Sequence, residues 1–344
     1  MSFVKIDPNE IAKANHRIER FIKKTPVIYS EVLNESLGHE IFFKVEAFQI
    51  TGAYKIRGVF NALLSLKEKN SLPPHIVAYS SGNHAQALAY AAKIFGIKAT
   101  IFMPNYTSSI KQKSAKQFGA EVILTNSRKE AEEKVLEAEN RGLYNLHPAS
   151  NDMVIAGHGT ICYEALKNMD TLPDAIFAAC GGGGLLSGTM LASKLFSDQI
   201  EIYGGEPQLA NDAAKSLSEG KIFAFETSPD TIADGARTLA ITPKIFNYLK
   251  ELNGIYEINE EEIIYWTAWL MHLLKVTCEP TAALAMAAGA RWLSSQKEKK
   301  TILVILSGGN IDQKAYNKIW TTDQLEEFPT MNIIEKYKNK NEYT

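Results

Sequence analysis

The stretch Gly52-Ala53-Tyr54-Lys55-Ile56-Arg57-Gly58 decides how the chain is read. It follows a strand-like run, Ile41-Phe42-Phe43-Lys44-Val45-Glu46, and precedes Val59, Phe60, Leu63, Leu64 and Leu66 at near-helical spacing. Thr51 and Gly52 supply the turn and cap expected where that helix opens. Lys55 therefore falls in the first turn of a helix, at a strand-to-helix junction. A helix start concentrates unpaired N–H groups and partial positive charge. That field disfavours an ammonium and helps keep an amine neutral and nucleophilic. An isolated lysine at such a place is usually a solvated side chain, here beside Arg57. The rest of the chain decides between the two readings.

With 344 residues, 45% of them hydrophobic, the chain is long enough for two lobes with their own cores. A net charge of −2 gives no basic footprint for nucleic acid. No apolar run reaches membrane-spanning length, and the polar start Asp7-Pro8-Asn9-Glu10 reads as a helix cap rather than a signal peptide. Cys162, Cys180 and Cys278 are scattered and form no CxxC pair, which suits a reduced cytoplasm. The seven histidines form no HExxH or zinc-type cluster.

A helix is expected over residues 8–24, closed by Thr25-Pro26. From residue 76 short apolar strands alternate with helices: strands at 76–79, 99–103 and 121–124, then at 175–179, 200–203 and 302–306. That alternation predicts an α/β fold of parallel βαβ units with both sheet faces covered. Residues 334–344 are polar and are expected to fray, and no room is expected for a further regulatory domain.

In open α/β sheets ligands sit beyond the carboxyl ends of the strands. Four such ends are unusual here. Ser80-Ser81-Gly82-Asn83-His84 offers small hydroxyls, an amide and a helix start, fit for a carboxylate or for simple helix capping. Gly181-Gly182-Gly183-Gly184 lets backbone amides converge on an anion ahead of a helix. Neither GxGxxG nor GxxxxGK[ST] is present, so a phosphate monoester fits better than a dinucleotide. Glu206-Pro207-Gln208-Leu209-Ala210-Asn211-Asp212 brings two carboxylates six residues apart, as a Mg²⁺ or Ca²⁺ site does and as many solvated loops do. Ser307-Gly308-Gly309-Asn310 puts a hydroxyl where it can meet a ring nitrogen, and Cys278-Glu279-Pro280-Thr281 opens another helix. Lysine, phosphate cradle, carboxylate cradle and hydroxyl together describe a pyridoxal 5′-phosphate (PLP) site.

The motifs FQITGAYKIRG (48–58), SSGNHAQA (80–87), GGGGLLSG (181–188), GEP (205–207), DGAR (234–237), CEPTAA (278–283) and LSGGN (306–310) resemble, in order and spacing, the fold-type II PLP enzymes of the serine/threonine dehydratase and serine racemase family. The resemblance runs from about residue 5 to about 322 and implies a two-lobed fold like that of the tryptophan synthase β chain. Its large PLP-binding lobe would be 1–68 with 150–325, its small lobe 70–149, and residues 326–344 a C-terminal tail. It further implies that Lys55 carries the cofactor, Tyr54 and Gly235 sandwich its ring, and Asn83 meets its phenolic oxygen. Gly181, Gly182, Gly183 and Gly184 would hold the phosphate, with Ser307 facing the ring nitrogen and Glu279 nearby. Ser80, Ser81, Asn83 and His84 would cradle the substrate carboxylate.

Two features resemble the racemase branch. Ser81 offers a hydroxyl on the second face of Cα, and Glu206, the Ala210 carbonyl and Asp212 match a divalent site for Mg²⁺, Ca²⁺ or Mn²⁺. Lys111 and Arg128 resemble polar positions on the small-lobe side of the cleft. Ala47, Ala53-Tyr54 and Ala236-Arg237-Thr238 depart from the family pattern near the substrate. The expected activity is loss of water from L-serine or L-threonine to give a 2-oxo acid and ammonia. Serine racemisation and 3-hydroxyaspartate dehydration are the alternatives, and a PLP-binding sensor without turnover is the non-enzyme one. The resemblance also implies a small amino-acid substrate and a homodimer.

Overall fold

The apolar runs become strands because each is buried from both sides. The computed structural model describes residues 4–80, 82–107 and 109–340. Its strands are β1 (Val27–Tyr29), β2 (Glu40–Val45), β3 (His75–Tyr79), β4 (Lys98–Pro104), β5 (Glu121–Thr125), β6 (Tyr144–Asn145), β7 (Ala175–Ala179), β8 (Glu201–Pro207), β9 (Gly254–Ile258) and β10 (Thr301–Leu306). They form a six-stranded sheet in the order β1-β2-β10-β7-β8-β9 and a four-stranded sheet in the order β5-β4-β3-β6. All neighbours run parallel except β1, which lies antiparallel on the edge beside β2. Every residue of β7 is buried, which is why its sequence shows no polar alternation.

One face of the large sheet packs under the helices Glu260–Leu274 and Pro280–Leu293, around Phe177, Trp266 and Leu284. The other face packs under Asp152–Leu166 and Gly184–Ser193, around Ile155, Leu186 and Ile305. The helix Lys55–Glu68 packs against both Asp152–Leu166 and Asn83–Phe95, so it stands between the two sheets. Parallel strands bring the ends of β2, β7, β8 and β10 to one edge of the large sheet.

Several boundaries differ from the sequence reading. The first helix is Asn9–Ile18, with a turn after it, so the basic pair at 23–24 lies beyond its end. Tyr54, in αR geometry, is the cap of the lysine helix, and Gly52 makes the turn before it at φ +71. Residues 331–340 do not fray: Met331–Lys340 is a helix with Ile334 buried and the Tyr337 ring 5.1 Å from Tyr265. Its lysines and asparagines hide an apolar stripe, Ile333, Ile334 and Tyr337, at helical spacing. Among the described residues no helix is long and apolar enough to cross a membrane. The three cysteines are free and buried.

Candidate active site

Two strand ends are zipped together and fix where Lys55 sits. Ala53 bridges Gly308, the Tyr54 N–H donates to the Ser307 carbonyl (3.0 Å), and the Gly309 N–H donates to the Gly52 carbonyl (2.9 Å). The loop after β2 and the loop after β10 thus share one short ladder, with Lys55 the first residue of the helix that follows. Below it lies a buried charge network. The Arg57 guanidinium donates to both Glu46 oxygens (2.8 Å each) and to Glu164, and Lys44 donates to Glu164 (2.5 Å). Two cations face two carboxylates, so the cluster is neutral as a whole, which is how buried charge is tolerated.

The Lys55 amine donates to the Pro148 carbonyl (3.2 Å) and lies 4.9 Å from the centroid of the Tyr54 ring. Desolvation pulls its pKa down from 10.5 to about 8, and the nearby Glu279 charge partly opposes this. Tyr54 sets its ring edge-on to His158, with centroids 4.7 Å apart. Burial drives the His158 pKa well below the usual histidine value, and the Lys55 charge adds to this.

Ser307 is buried, and its Oγ has no hydrogen-bond partner among the described residues. Glu279 is also buried and sits at the same end. Its backbone N–H donates to the Gly308 carbonyl, and its carboxylate accepts from Asn83 Nδ2 at 2.9 and 3.0 Å. Burial, with Asp234 next in effect, raises the Glu279 pKa to about 7. Asn83 Oδ1 accepts from Asn310 (2.9 Å), so the Asn83 amide is already tied at both ends.

The Ser80 hydroxyl accepts from the Gly82 and Ala85 amides (3.2 Å each), so it caps the helix Asn83–Phe95. His84 gives Nε2 to the Leu146 carbonyl (2.9 Å) and leaves Nδ1 without a partner; burial and then Lys55 press its pKa to about 3. Ser81 lies outside the described residues.

The four glycines are packed as tightly as their composition suggests. Gly183 has φ +74, and a Cβ there would lie 2.3 Å from Ile245 Cγ2. A Cβ at Gly181 would meet the Gly235 carbonyl at 2.9 Å, and one at Gly184 the Ala149 carbonyl at 2.9 Å. Gly235 itself donates to Thr281 Oγ1 (3.0 Å). The bend and the Asp234–Ala236 turn therefore touch, as a shared pocket requires.

At the end of β8 the Glu206 oxygens accept the Ala213 and Ala214 amides (3.0 and 2.8 Å). Asp212 is fully buried with neither oxygen partnered. Burial raises both pKa values, Asp212 to about 7 and Glu206 well above the usual carboxylate range, where the Asp212 charge adds to burial. Ala210 is buried in the turn between them. Among the described residues no three His, Cys, Asp or Glu side chains gather as a ready metal cluster. On the small-sheet side, Lys111 pairs with Asp234, and Arg128 donates to the Arg237 carbonyl while lying 5.5 Å from the Tyr79 ring centroid. Both basic residues thus reach across to the loop that carries Gly235. Sequence reasoning missed the Pro148 carbonyl, His147 and Asn310. A His-Pro pair just ahead of a helix was the one available signal for the first two.

Comparison with known proteins agrees with this geometry. The chain is 40% identical over 311 residues to serine racemase of Schizosaccharomyces pombe, covering 90% of this chain and 95% of that protein. It is 40% identical over 312 residues to L-threo-3-hydroxyaspartate ammonia-lyase of Saccharomyces cerevisiae, covering 89% and 94%. The crystal structure of a bacterial-type threonine deaminase, designated T.th., superposes with a TM-score of 0.80 at 37% identity, over 88% of this chain and 98% of that one. A family model described as "Pyridoxal-phosphate dependent enzyme" matches residues 18–308, and the chain belongs to that family.

Proposed function

We propose that the chain removes water from a β-hydroxy amino acid, L-serine or L-threonine, to give a 2-oxo acid and ammonia. The observation that carries this reading is the desolvated Lys55 amine, held in one zipped loop pair with the unpartnered Ser307 hydroxyl. The residues fit the cofactor. An amine near pKa 8 suits covalent attachment, a buried orphan hydroxyl suits a ring nitrogen, and a side-chain-free bend at a helix start suits a phosphate. In this proposal Lys55 holds PLP, Gly181–Gly184 hold its phosphate, and Tyr54 and Gly235 flank the ring. Asn83 and Ser307 meet the ring's polar atoms, with Glu279 beside them. Ser80, Ser81, Asn83 and His84 receive the substrate carboxylate, with the Ser80 and Asn83 side chains sharing that task with the bonds described above.

When bound, PLP supplies an electron sink for the pair left at Cα as the proton departs. Lys55, freed by the substrate amine, takes that proton and holds it within reach of the β-hydroxyl, which leaves as water. The released enamine takes up water and yields the 2-oxo acid and ammonia. The four-stranded sheet with its helices, residues 70–149, is proposed as the small lobe that closes on the large one (1–68 and 150–325) and excludes water. Glu206, the Ala210 carbonyl and Asp212 are proposed to hold Mg²⁺, Ca²⁺ or Mn²⁺, supported by the two unpartnered Asp212 oxygens. A cytoplasmic homodimer acting on a free amino acid completes the proposal.

A second reading, racemisation of serine with Lys55 and Ser81 on opposite faces of Cα, draws support from the racemase relative. The deciding experiment is a panel of L-serine, L-threonine and 3-hydroxyaspartate with simultaneous detection of keto acid and amino-acid chirality. Keto acid as the main product supports elimination. Predominant D-serine would replace it with racemisation, and bound PLP without turnover would leave a sensor.

A further inference from the structure

The chain passes from the four-stranded to the six-stranded sheet through residues 146–151, between β6 and the helix Asp152–Leu166. This crossing is a turn closed by a side chain. His147 Nδ1 accepts the backbone N–H groups of both Ala149 and Ser150, each at 3.1 Å. A ring nitrogen that accepts twice carries no proton, so the proton is on Nε2. The turn is pinned on its N-terminal side as well. The Leu146 N–H donates to the Val77 carbonyl (3.1 Å), and the Leu146 carbonyl accepts from His84 Nε2 (2.9 Å).

The turn presents two things to the site. The Pro148 carbonyl faces the Lys55 amine at 3.2 Å. Ala149 lies directly against the glycine bend: a Cβ on Gly182 would sit 3.1 Å from the Ala149 Cβ, and one on Gly184 would sit 2.9 Å from the Ala149 carbonyl. One four-residue turn therefore sets both the resting place of the amine and one wall of the bend.

We propose that His147 is a positioning residue, whose acceptor nitrogen folds the 147–150 turn so that the Pro148 carbonyl holds the free Lys55 amine and Ala149 braces the glycine bend. This rests on the reading that Lys55 carries PLP. His147 acts through the backbone and touches neither substrate nor cofactor. The neutral ring is what the turn needs, and burial, then Lys55 and Arg128, hold its pKa at about 4.

The test uses the full chain loaded with PLP and the variants His147→Leu and His147→Asn. Leucine removes the acceptor, whereas an asparagine oxygen accepts the same two amides, as it does in Asx turns. His147→Leu is expected to lower kcat on the order of 10- to 100-fold, since small displacements of a reacting group have effects of that size. KM should change little, the visible band of the bound cofactor should shift, and PLP should be lost faster on dialysis. His147→Asn should regain most of each. A leucine variant indistinguishable from the unsubstituted chain overturns the proposal, and so does an asparagine variant as impaired as the leucine one. If His147→Leu does not fold, His147→Gln, one methylene too long for the turn, replaces it: impaired glutamine with active asparagine supports the proposal, and equal behaviour overturns it. Borohydride reduction and peptide mass spectrometry keep the two layers apart. No pyridoxyl group on Lys55 in the unsubstituted chain refutes the cofactor assignment, whereas its presence beside unaffected His147 variants refutes the turn alone.

Discussion

The ionisation of Lys55 is the most direct test of the site, because the amine must lose a proton before it can attack an aldehyde. Burial brings its pKa from 10.5 to about 8. At neutral pH that difference gives about 300-fold more free amine than an ordinary lysine has. The perturbation is pH, applied to the full chain stripped of PLP. The assay is the initial rate at which the visible band of attached cofactor appears on mixing with PLP, with N-acetyl-lysine as the solution control. The rate should climb about tenfold per pH unit below 8 and level off above it, while the control keeps climbing towards about pH 10. The charge on Glu279 raises the Lys55 pKa, so Glu279→Gln should move the midpoint below 8. A midpoint near that of the control refutes the reasoning. An upward movement in Glu279→Gln would show that the carboxylate acts in some way other than through its charge.

The other predictions concern the surroundings. Ser81→Ala should spare keto-acid formation from L-serine and abolish any D-serine formation, read by chiral chromatography; persistent D-serine removes Ser81 as the second-face group. Gly183→Ala must place a Cβ 2.3 Å from Ile245 at φ +74. It should cost about 2–4 kcal/mol of stability and weaken PLP retention, by thermal melting and dialysis. Glu46→Gln leaves Arg57 short of a buried counter-charge and should cost about 3–5 kcal/mol, with Arg57→Met/Glu46→Gln costing less than the sum of the single changes. Asp212 is raised from 3.8 to about 7, so the stability it gives when protonated is fully present below 3.8 and lost as pH rises through 7. A divalent ion binds the deprotonated pair, so the melting difference between Mg²⁺ and EDTA should be larger at about pH 8 than at about pH 6. An equal or absent difference removes the metal from the proposal.

How far the sequence could be read depends on where the information is stored. β7 and β10 were legible because a strand covered on both faces must be apolar throughout. β9 was not, since only Ile258 of its five residues is buried and no alternation results. β1 has three residues and takes its place only because β2 offers an edge. At the site, Lys55, the glycine bend and Ser307 announce themselves by residue type. The Pro148 carbonyl cannot, because every residue has one and only the turn gives it a direction. The Arg57 network was equally hidden. Its members Lys44, Glu46 and Glu164 lie on β2, just after it, and on a helix far along the chain, so no local pattern joins them. Ser80 shows the opposite limit: residue type suggested both a carboxylate cradle and a cap, and only geometry revealed the cap.

Three lysines removed from water show why position 55 carries the reactive amine. Lys111 is desolvated, yet its partner Asp234 outweighs burial and raises its pKa, so it stays charged. Lys44 is buried and shifted downward, but Glu164 and the Thr25 carbonyl hold its amine within a neutral cluster. Lys55 has a carbonyl as its hydrogen-bond partner and feels a carboxylate only at a distance. A carbonyl accepts the hydrogen of an ammonium or of a free amine, so it leaves the protonation state open, whereas a carboxylate would lock in the charge. Burial then tips the balance toward the free amine. The Arg57 cluster beneath supplies rigidity without lending Lys55 any net charge, because its two cations and two anions cancel. An uncompensated carboxylate in that cluster would raise the amine's pKa and slow its attachment. The charges next to the lysine are therefore paired with one another, and the lysine's own partner is neutral.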